Sequence, residues 1–222
     1  RSFNSRQKLA DPLRLLFNSD VFDSVRRKQK PTMNIYDFDK TIYDGDSSID
    51  FYLYCLSKHP GLVVYIFGQI WSVLLHTTGR IDTKEWKERF FVFLRGLPSL
   101  DEMIDSFWDS RQSKIKEWYL KQKQENDVVI SASPAFLLVP ICRRLGIAPP
   151  IATELDPTTG KIRGANCKGG EKVRRFQENY PGVSIQYFYS DSFVDAPLAE
   201  LAEEAYLVRG DNITHWLKGG LP

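Results

Sequence analysis

Two aspartates one residue apart, Asp37 and Asp39, follow a short apolar run, Asn34-Ile35-Tyr36. Lys40, Thr41 and then Gly45 come next, in place of further β-branched apolar residues. Such residues take a chain out of strand geometry, so both carboxylates can turn towards one site at the end of a strand. Two carboxylates crowded together are unfavourable unless a cation or a shared proton neutralises them. The pair points to an enzyme in which one aspartate attacks and the other moves a proton. A hard divalent cation is the natural neutralising partner. The spacing alone is too common to decide the matter, since both residues could be solvated turn aspartates.

Three further signals follow in order. Asp127-Val128-Val129-Ile130 runs into Ser131-Ala132-Ser133-Pro134. This reads as a strand, then small hydroxyls, then a helix start, a combination that can cradle an oxyanion or phosphate. Asn166-Cys167-Lys168-Gly169-Gly170-Glu171-Lys172 reads as a loop entering a helix. Lys172 is the preferred cation, because Val173 and Phe176 at helical spacing would seat its helix on a sheet; Lys168 is the alternative. Tyr189-Ser190-Asp191-Ser192-Phe193-Val194-Asp195 then closes a third apolar run with two more carboxylates. Magnesium takes one or two carboxylates plus waters and substrate phosphate. Asp37 and Asp191 could supply them, with Asp195 orienting Lys172 or a water.

The elements that must position these groups read as α/β, a Rossmann-like parallel sheet flanked by helices. Strands are expected at 34–36, 127–130, 184–189 and 205–208, with a short terminal helix to Leu217. All three polar clusters fall at the carboxyl ends of strands, where open α/β sheets bind ligands. Residues 48–124 lack a convincing strand and read as an all-helical cap inserted after the first strand. Helices are expected at 49–56, 62–76, 83–94, 99–107 and 110–124, with an N-cap at Asp82 or Thr83 and a capping box at Ser99–Glu102. The α/β core comprises 33–47 and 125–222. Residues 1–32 read as a leader, partly helical, without a secretory signal, and Met33 stands as a candidate natural start. The segment Leu62–Leu75 is apolar nearly all round. Its shortness against the roughly 20 residues of a bilayer span favours a helix buried in the cap. The sharper alternative is a surface that touches a membrane or receives a lipid-like substrate.

Thirty basic and 28 acidic side chains give a net charge of +2, too even for a dedicated nucleic-acid binder. Cys55, Cys142 and Cys167 form no CxxC pair, which argues against a zinc site or disulfide framework and fits a reducing cytoplasm. His59, His76 and His215 sit at no metal-ligand spacing, and the five tryptophans read as packing residues. Arg80, Lys84, Lys87 and Arg89 are cap cations that could face a substrate, though a solvated helix face suits most of them.

Taken in order, Asp37-x-Asp39-x-Thr41, Ser131, Lys172 and Asp191-x-x-x-Asp195 resemble the four motifs of the haloacid dehalogenase superfamily. The helical insert after the first motif resembles the C1-capped branch that contains phosphoserine phosphatase. The runs at 166–173 and 189–198 are similar to the subgroup that includes phosphatidylglycerophosphatase C. The resemblance implies a Mg²⁺-dependent phosphomonoesterase. Asp37 is then the nucleophile, Asp39 the general acid and base, and Ser131 and Lys172 the phosphoryl contacts, with Ser133 in support. Asp37, the Asp39 carbonyl and Asp191 would hold Mg²⁺, while Thr41 would steady Asp39 or its turn. The implied substrate is a small phosphorylated metabolite or a phospholipid head group, with peripheral contact at the inner face of a membrane in the second case. Two positions depart from the family pattern: Lys40 and Ser190 stand where glycine is usual. A silent binding module on the same scaffold, the competing class, would be expected to have lost one of the four charged motif residues. A phosphotransferase or mutase would keep the same nucleophile.

Overall fold

The computed structural model describes residues 31–217. The rest, including nearly all of the expected leader, lies outside the described residues.

Six strands form one sheet in the order β3-β2-β1-β4-β5-β6. They are β1 (Thr32–Tyr36), β2 (Val128–Pro134), β3 (Ile151–Thr153), β4 (Ser184–Ser190), β5 (Ala202–Arg209) and β6 (Asn212–His215). All neighbours are parallel except β5 and β6. The order reverses beside β1, which pairs with β2 on one side and β4 on the other. That reversal opens a crevice at the carboxyl ends of β1 and β4. Tyr36 pairs with Tyr189, and the ladder continues as the Asp37 N–H donates to the Tyr189 carbonyl at 2.8 Å. Asp37 and the segment that carries Asp191 therefore leave the sheet side by side.

Alternation along the strands divides two cores. Tyr36, Val129, Tyr189 and Val208 join a cluster that includes Phe51, Phe93, Phe107 and Trp108 of the helical insert. Ile35, Val128, Ile130, Ile185 and Phe188 join a second cluster with Phe176 and Leu198. The insert thus shares a continuous hydrophobic core with one face of the sheet, and Thr32 onwards forms one compact unit.

The insert contains α1 (Ser47–Lys58), α2 (Ile66–Thr77), α3 (Thr83–Phe90), α4 (Leu100–Arg111) and α5 (Glu117–Gln122), joined partly by 3₁₀ turns. Asp82 caps α3 by accepting from the Glu85 N–H, as expected. Ser99 occupies the N-cap of α4, but its side chain makes no capping bond, so the expected capping box does not form. The helix expected over 110–124 is interrupted, because Ile115 bridges to Tyr43 and the Lys116 N–H bonds the Ile42 carbonyl. The first-motif loop claims that backbone and helix propensity yields to it.

Beyond β2 come α6 (Ala135–Leu145), α7 (Gly170–Asn179) and α8 (Ala196–Ala199). The expected terminal helix is instead β6. Gly210 at φ 60° and Asp211 form a tight turn, and the chain returns along β5 with Arg209 opposite Asn212. Left-handed φ at glycine is what a short hairpin turn of this kind requires. The short β3 strand was not anticipated; three residues are too few to show a period.

The expectation that 62–75 is buried in the cap is overturned. The segment opens as a 3₁₀ turn, Pro60–Tyr65, and continues as α2. Only Leu62, Gln69 and Ser72 are buried, while Phe67 is 79% exposed.

Candidate active site

The chain leaves β1 at Asp37 and enters a tight loop. Phe38 turns its ring into the core, stacking on Tyr43 and edge-on to Trp108. Its carbonyl accepts from the N–H groups of Thr41, Ile42 and Tyr43. Lys40 has φ 58°, the only left-handed non-glycine among the described residues. A lysine there is strained where the family usually has glycine. Lys116, almost fully buried, donates to the Lys40 carbonyl at 3.0 Å and to the Gly210 carbonyl at 2.5 Å. It ties the loop to the β5–β6 turn and holds the strained residue in place.

Asp37 lies beside Lys172, 135 positions further along the chain, whose Nζ donates to Asp37 Oδ1 at 2.7 Å. The same Nζ donates to Asp195 Oδ2, also at 2.7 Å. Lys172 rides on α7 behind Gly169, which takes φ 58°, ψ −128°, a conformation open to glycine. Phe176, one turn later, seats the helix in the second core. The alternative Lys168 lines the same cavity but makes no bond to either carboxylate. Asp195 also accepts from the Ser190 hydroxyl at 2.8 Å. The serine that replaces the usual glycine therefore holds the carboxylate that holds Lys172.

Asp39 is fixed separately. Its Oδ1 accepts from the Ser47 N–H at the start of α1, at 2.6 Å, and its Oδ2 accepts from the Ser133 hydroxyl. Ser131 was expected at the mouth of the site because β2 was expected to end at Ile130. The strand instead runs on to Pro134 through a register shift against β3. Ser131 accepts from the Ser133 N–H at 3.1 Å, and Ser133 is the hydroxyl that reaches a first-motif carboxylate. Thr41 was expected to steady Asp39 or its turn. Its hydroxyl instead accepts from the Asp191 N–H at 2.9 Å, joining the first motif to the fourth.

Burial dominates the electrostatics. It pushes the Asp37 carboxyl up to about 7, against the pull of Lys172 and with help from the Asp195 and Asp39 charges. It pushes Asp39 up to about 6, aided by Asp46 and opposed by the bonds from Ser133 and Ser47. Burial works against the Lys172 ammonium too, but Asp37 and Asp195 outweigh it and hold its pKa above the ordinary value. Burial raises Asp191 as well, with Lys40 and Arg209 working the other way.

The expected ligands suit a hard cation. Both carboxylate oxygens of Asp191 accept no hydrogen bond among the described residues, and burial raises the Asp37 and Asp191 carboxyls, which a cation would offset. No group of three His, Cys, Asp or Glu side chains suited to a metal occurs among the described residues. The expected set needs only two carboxylates and a main-chain carbonyl, with waters and substrate completing the octahedron.

Two adjoining cavities cover the site. One, of about 180 Å³, is lined by Asp37, Lys172, Asp195, Asn166 and Lys168; the other, of about 130 Å³, by Asp39, Asp46, Ser48 and Ser133. Trp86, Lys87 and Ala132 line both. Of the four cap cations, only Lys87 lines these cavities. Its Nζ donates to the Ala132 carbonyl at 2.8 Å and to Asn166 Oδ1 at 2.9 Å. Burial pulls its pKa down to about 8. Lys84 instead bonds the Gly164 carbonyl, and Arg89 pairs with Glu85 on its own helix. Trp86, read from sequence as packing, keeps a buried Nε1–H without a partner. Arg209, also unanticipated, donates to the Asp191 carbonyl. No sequence signal separates these residues from other cations and aromatics.

Residues 35–200 match the haloacid dehalogenase-like hydrolase family. The protein CicA of Caulobacter vibrioides is 24% identical over 199 residues, covering 79% of this chain and 85% of its own. Phosphoserine phosphatase SerB1 of Mycobacterium tuberculosis is likewise 24% identical, over 79% of this chain and 64% of its own. A crystal structure of a protein from Bordetella pertussis Tohama I superposes with a TM-score of 0.66 at 20% identity, over 80% of this chain and 89% of its own. That likeness extends to the fold. With three quarters of its length matched and the four motifs gathered at one sheet edge, the chain belongs to the haloacid dehalogenase-like hydrolase family.

Proposed function

We propose that this hydrolase is a Mg²⁺-dependent phosphomonoesterase that works through a phosphorylated Asp37. The observation that carries the proposal is the Asp37–Lys172–Asp195 cluster at the β1/β4 crevice, with Asp39 held separately beside it. Ionised Asp37 attacks phosphorus through Oδ2, which Lys172 leaves unbonded, and the P–O bond to the leaving alcohol breaks in line. Asp39, poised near 6, gives its proton to the departing oxygen and then takes one from the water that hydrolyses the acyl phosphate. Lys172 offsets charge on the phosphoryl oxygens, and Asp195 keeps it aimed. Ser131 contributes its hydroxyl to the phosphoryl group, and Ser133 orients Asp39. Mg²⁺, held by the Asp37 and Asp191 carboxylates and the Asp39 carbonyl, would neutralise the transferring phosphoryl group.

Phosphate release from a panel of soluble phosphomonoesters and a phosphatidylglycerophosphate-like lipid, with and without Mg²⁺, tests this directly. Chelation with EDTA is expected to remove activity and added Mg²⁺ to restore it. Undiminished turnover after exhaustive chelation would refute the metal assignment. The name of SerB1 and the C1-type insert support a small phosphorylated metabolite; the motif likeness to phosphatidylglycerophosphatase C supports a phospholipid head group. A division into core (33–47, 125–222) and cap (48–124) is part of the same proposal, with the cap choosing the substrate.

Lys87 is the cap residue placed to make that choice. Lys87→Met is expected to raise KM for an anionic phosphomonoester about tenfold, the loss of one charge-assisted bond, with little change in kcat. In the wild type, KM is expected to climb as pH passes about 8, where this ammonium loses its proton, and the variant should lack that rise. Steady-state kinetics between neutral and alkaline pH check both.

A further inference from the structure

The helix α2 is built inside out. Its inward stripe carries the polar residues: Gln69 donates to the Phe90 carbonyl at 3.0 Å, and Ser72 to the Gln69 carbonyl at 2.7 Å. Its outward stripe, with the turn before it, is Val64, Phe67, Ile70, Trp71 and Leu74, all exposed by half or more. These positions recur at three- and four-residue intervals, so they form one continuous apolar face. Water penalises such a surface, and contiguous exposed apolar patches mark interaction sites. Polar side chains on the protein side and apolar ones outside suit a helix whose outer surroundings are hydrocarbon.

We infer that this face seats the protein on the surface of a bilayer containing anionic phospholipid. Charge selects that occupant. No carboxylate occurs between Asp50 and Asp82, while the segment is entered at Lys58 and left at Arg80, both exposed. An apolar helix face with cationic flanks is the pattern that lies in an anionic interface. A second copy of the chain would instead bring like charges together around the contact. Val64, Tyr65, Gly68, Trp71 and Val92 also wall a groove of about 290 Å³, a shape suited to a lipid chain, with Arg89, paired to Glu85, at its side.

The helix lies on the membrane rather than across it. Pro60–Thr77 is long and apolar enough to span by length and composition. Its first third is a 3₁₀ turn, and its inner stripe is committed to α3 through Gln69. The twelve residues of α2 give about 18 Å of helix, well short of the ~30 Å hydrocarbon core. The helix α3 and the 3₁₀ turn after it then have two duties: Trp86 and Lys87 face the active-site cavities, while Arg89 and, in the turn, Val92 face the groove. Docking would bring the site's cap wall to the interface.

The inference stands apart from the hydrolytic reading, and the test keeps them separate. The whole protein is spun with phosphatidylcholine vesicles and with vesicles that also carry phosphatidylglycerol, without turnover, while hydrolysis of a soluble aryl phosphate is assayed without lipid. Binding is expected to the anionic vesicles, weaker to neutral ones and weakened by salt. The double variant Phe67→Asp, Ile70→Asp should bind about tenfold more weakly or worse, with aryl phosphate hydrolysis unchanged. Should that variant fail to fold, quenching of wild-type fluorescence by brominated lipid, lost in Trp71→Phe, is the second readout. No binding by well-folded wild-type protein to either vesicle overturns the inference. So does a dimer that the double variant dissociates in the absence of any vesicle binding.

Discussion

Asp37→Asn is expected to lower phosphate release by about 10⁴-fold or more while the protein stays folded. The amide keeps the shape of the carboxylate but cannot attack phosphorus. Stability should hold because Asp37 is a poor place for a negative charge: burial outweighs Lys172 and lifts its carboxyl to about 7. Removing one of two carboxylates leaves Lys172 with Asp195, a one-to-one pair. The melting temperature is therefore expected to match the wild type or rise. Phosphate release with purified protein, alongside circular dichroism, reads both quantities. Wild-type turnover in the variant would assign the nucleophile elsewhere.

Lys172→Met should be damaging in both respects. Methionine matches the length of the lysine stem but leaves Asp37 and Asp195 facing each other in a buried site without a cation. Breaking a buried pair by removing one partner costs about 3–5 kcal/mol. In a domain of this size that corresponds to a fall of about 10 °C in melting temperature. Turnover should fall with it, since no other ammonium bonds Asp37 among the described residues. The pH dependence has a definite sign. Without Lys172, which pulls it down, the Asp37 carboxyl that burial already raises stands further above its unfolded value, so the folded variant binds more protons than the unfolded chain. Its stability is then greatest at low pH and is lost as pH rises through the folded value of Asp37. The deficit relative to wild type is expected to shrink as pH is lowered from 7 towards 5. Urea unfolding at several pH values measures this, and a deficit independent of pH would place the damage in packing rather than charge. Lys172→Arg should not rescue activity, because a planar fork cannot replace a point charge shared by two carboxylates.

The two variants separate the duties of the cluster. On the proposed mechanism Asp37 serves the chemistry alone, whereas Lys172 serves both chemistry and fold. Ser190 and Asp195 act through Lys172, and Ser47 and Ser133 through Asp39. This division explains how two aspartates one residue apart avoid doing the same job. One faces an ammonium and the other faces a helix start and a hydroxyl.

Much of this was legible in the amino-acid order alone. The apolar runs before Asp37, Ser131 and Asp191 are strands because such runs, bounded by turn-forming residues, bury well in a parallel sheet. Their polar ends fall at one edge because parallel strands share a direction. The helical character of 48–124 likewise follows from apolar periodicity, which is a local property. Contacts between distant segments left no such trace. Lys168 and Lys172 look alike in a string of residues, and only the crossover that sets α7 behind β1 brings one of them to Asp37. Ser133 reaches Asp39 because β2 runs on past Ile130, and Lys87 reaches the site because α3 folds back over it. The same holds for α2, whose composition suits a core as well as a surface. Tertiary packing turned Gln69 inward to a spare carbonyl, and the apolar face, by exclusion, was left outside.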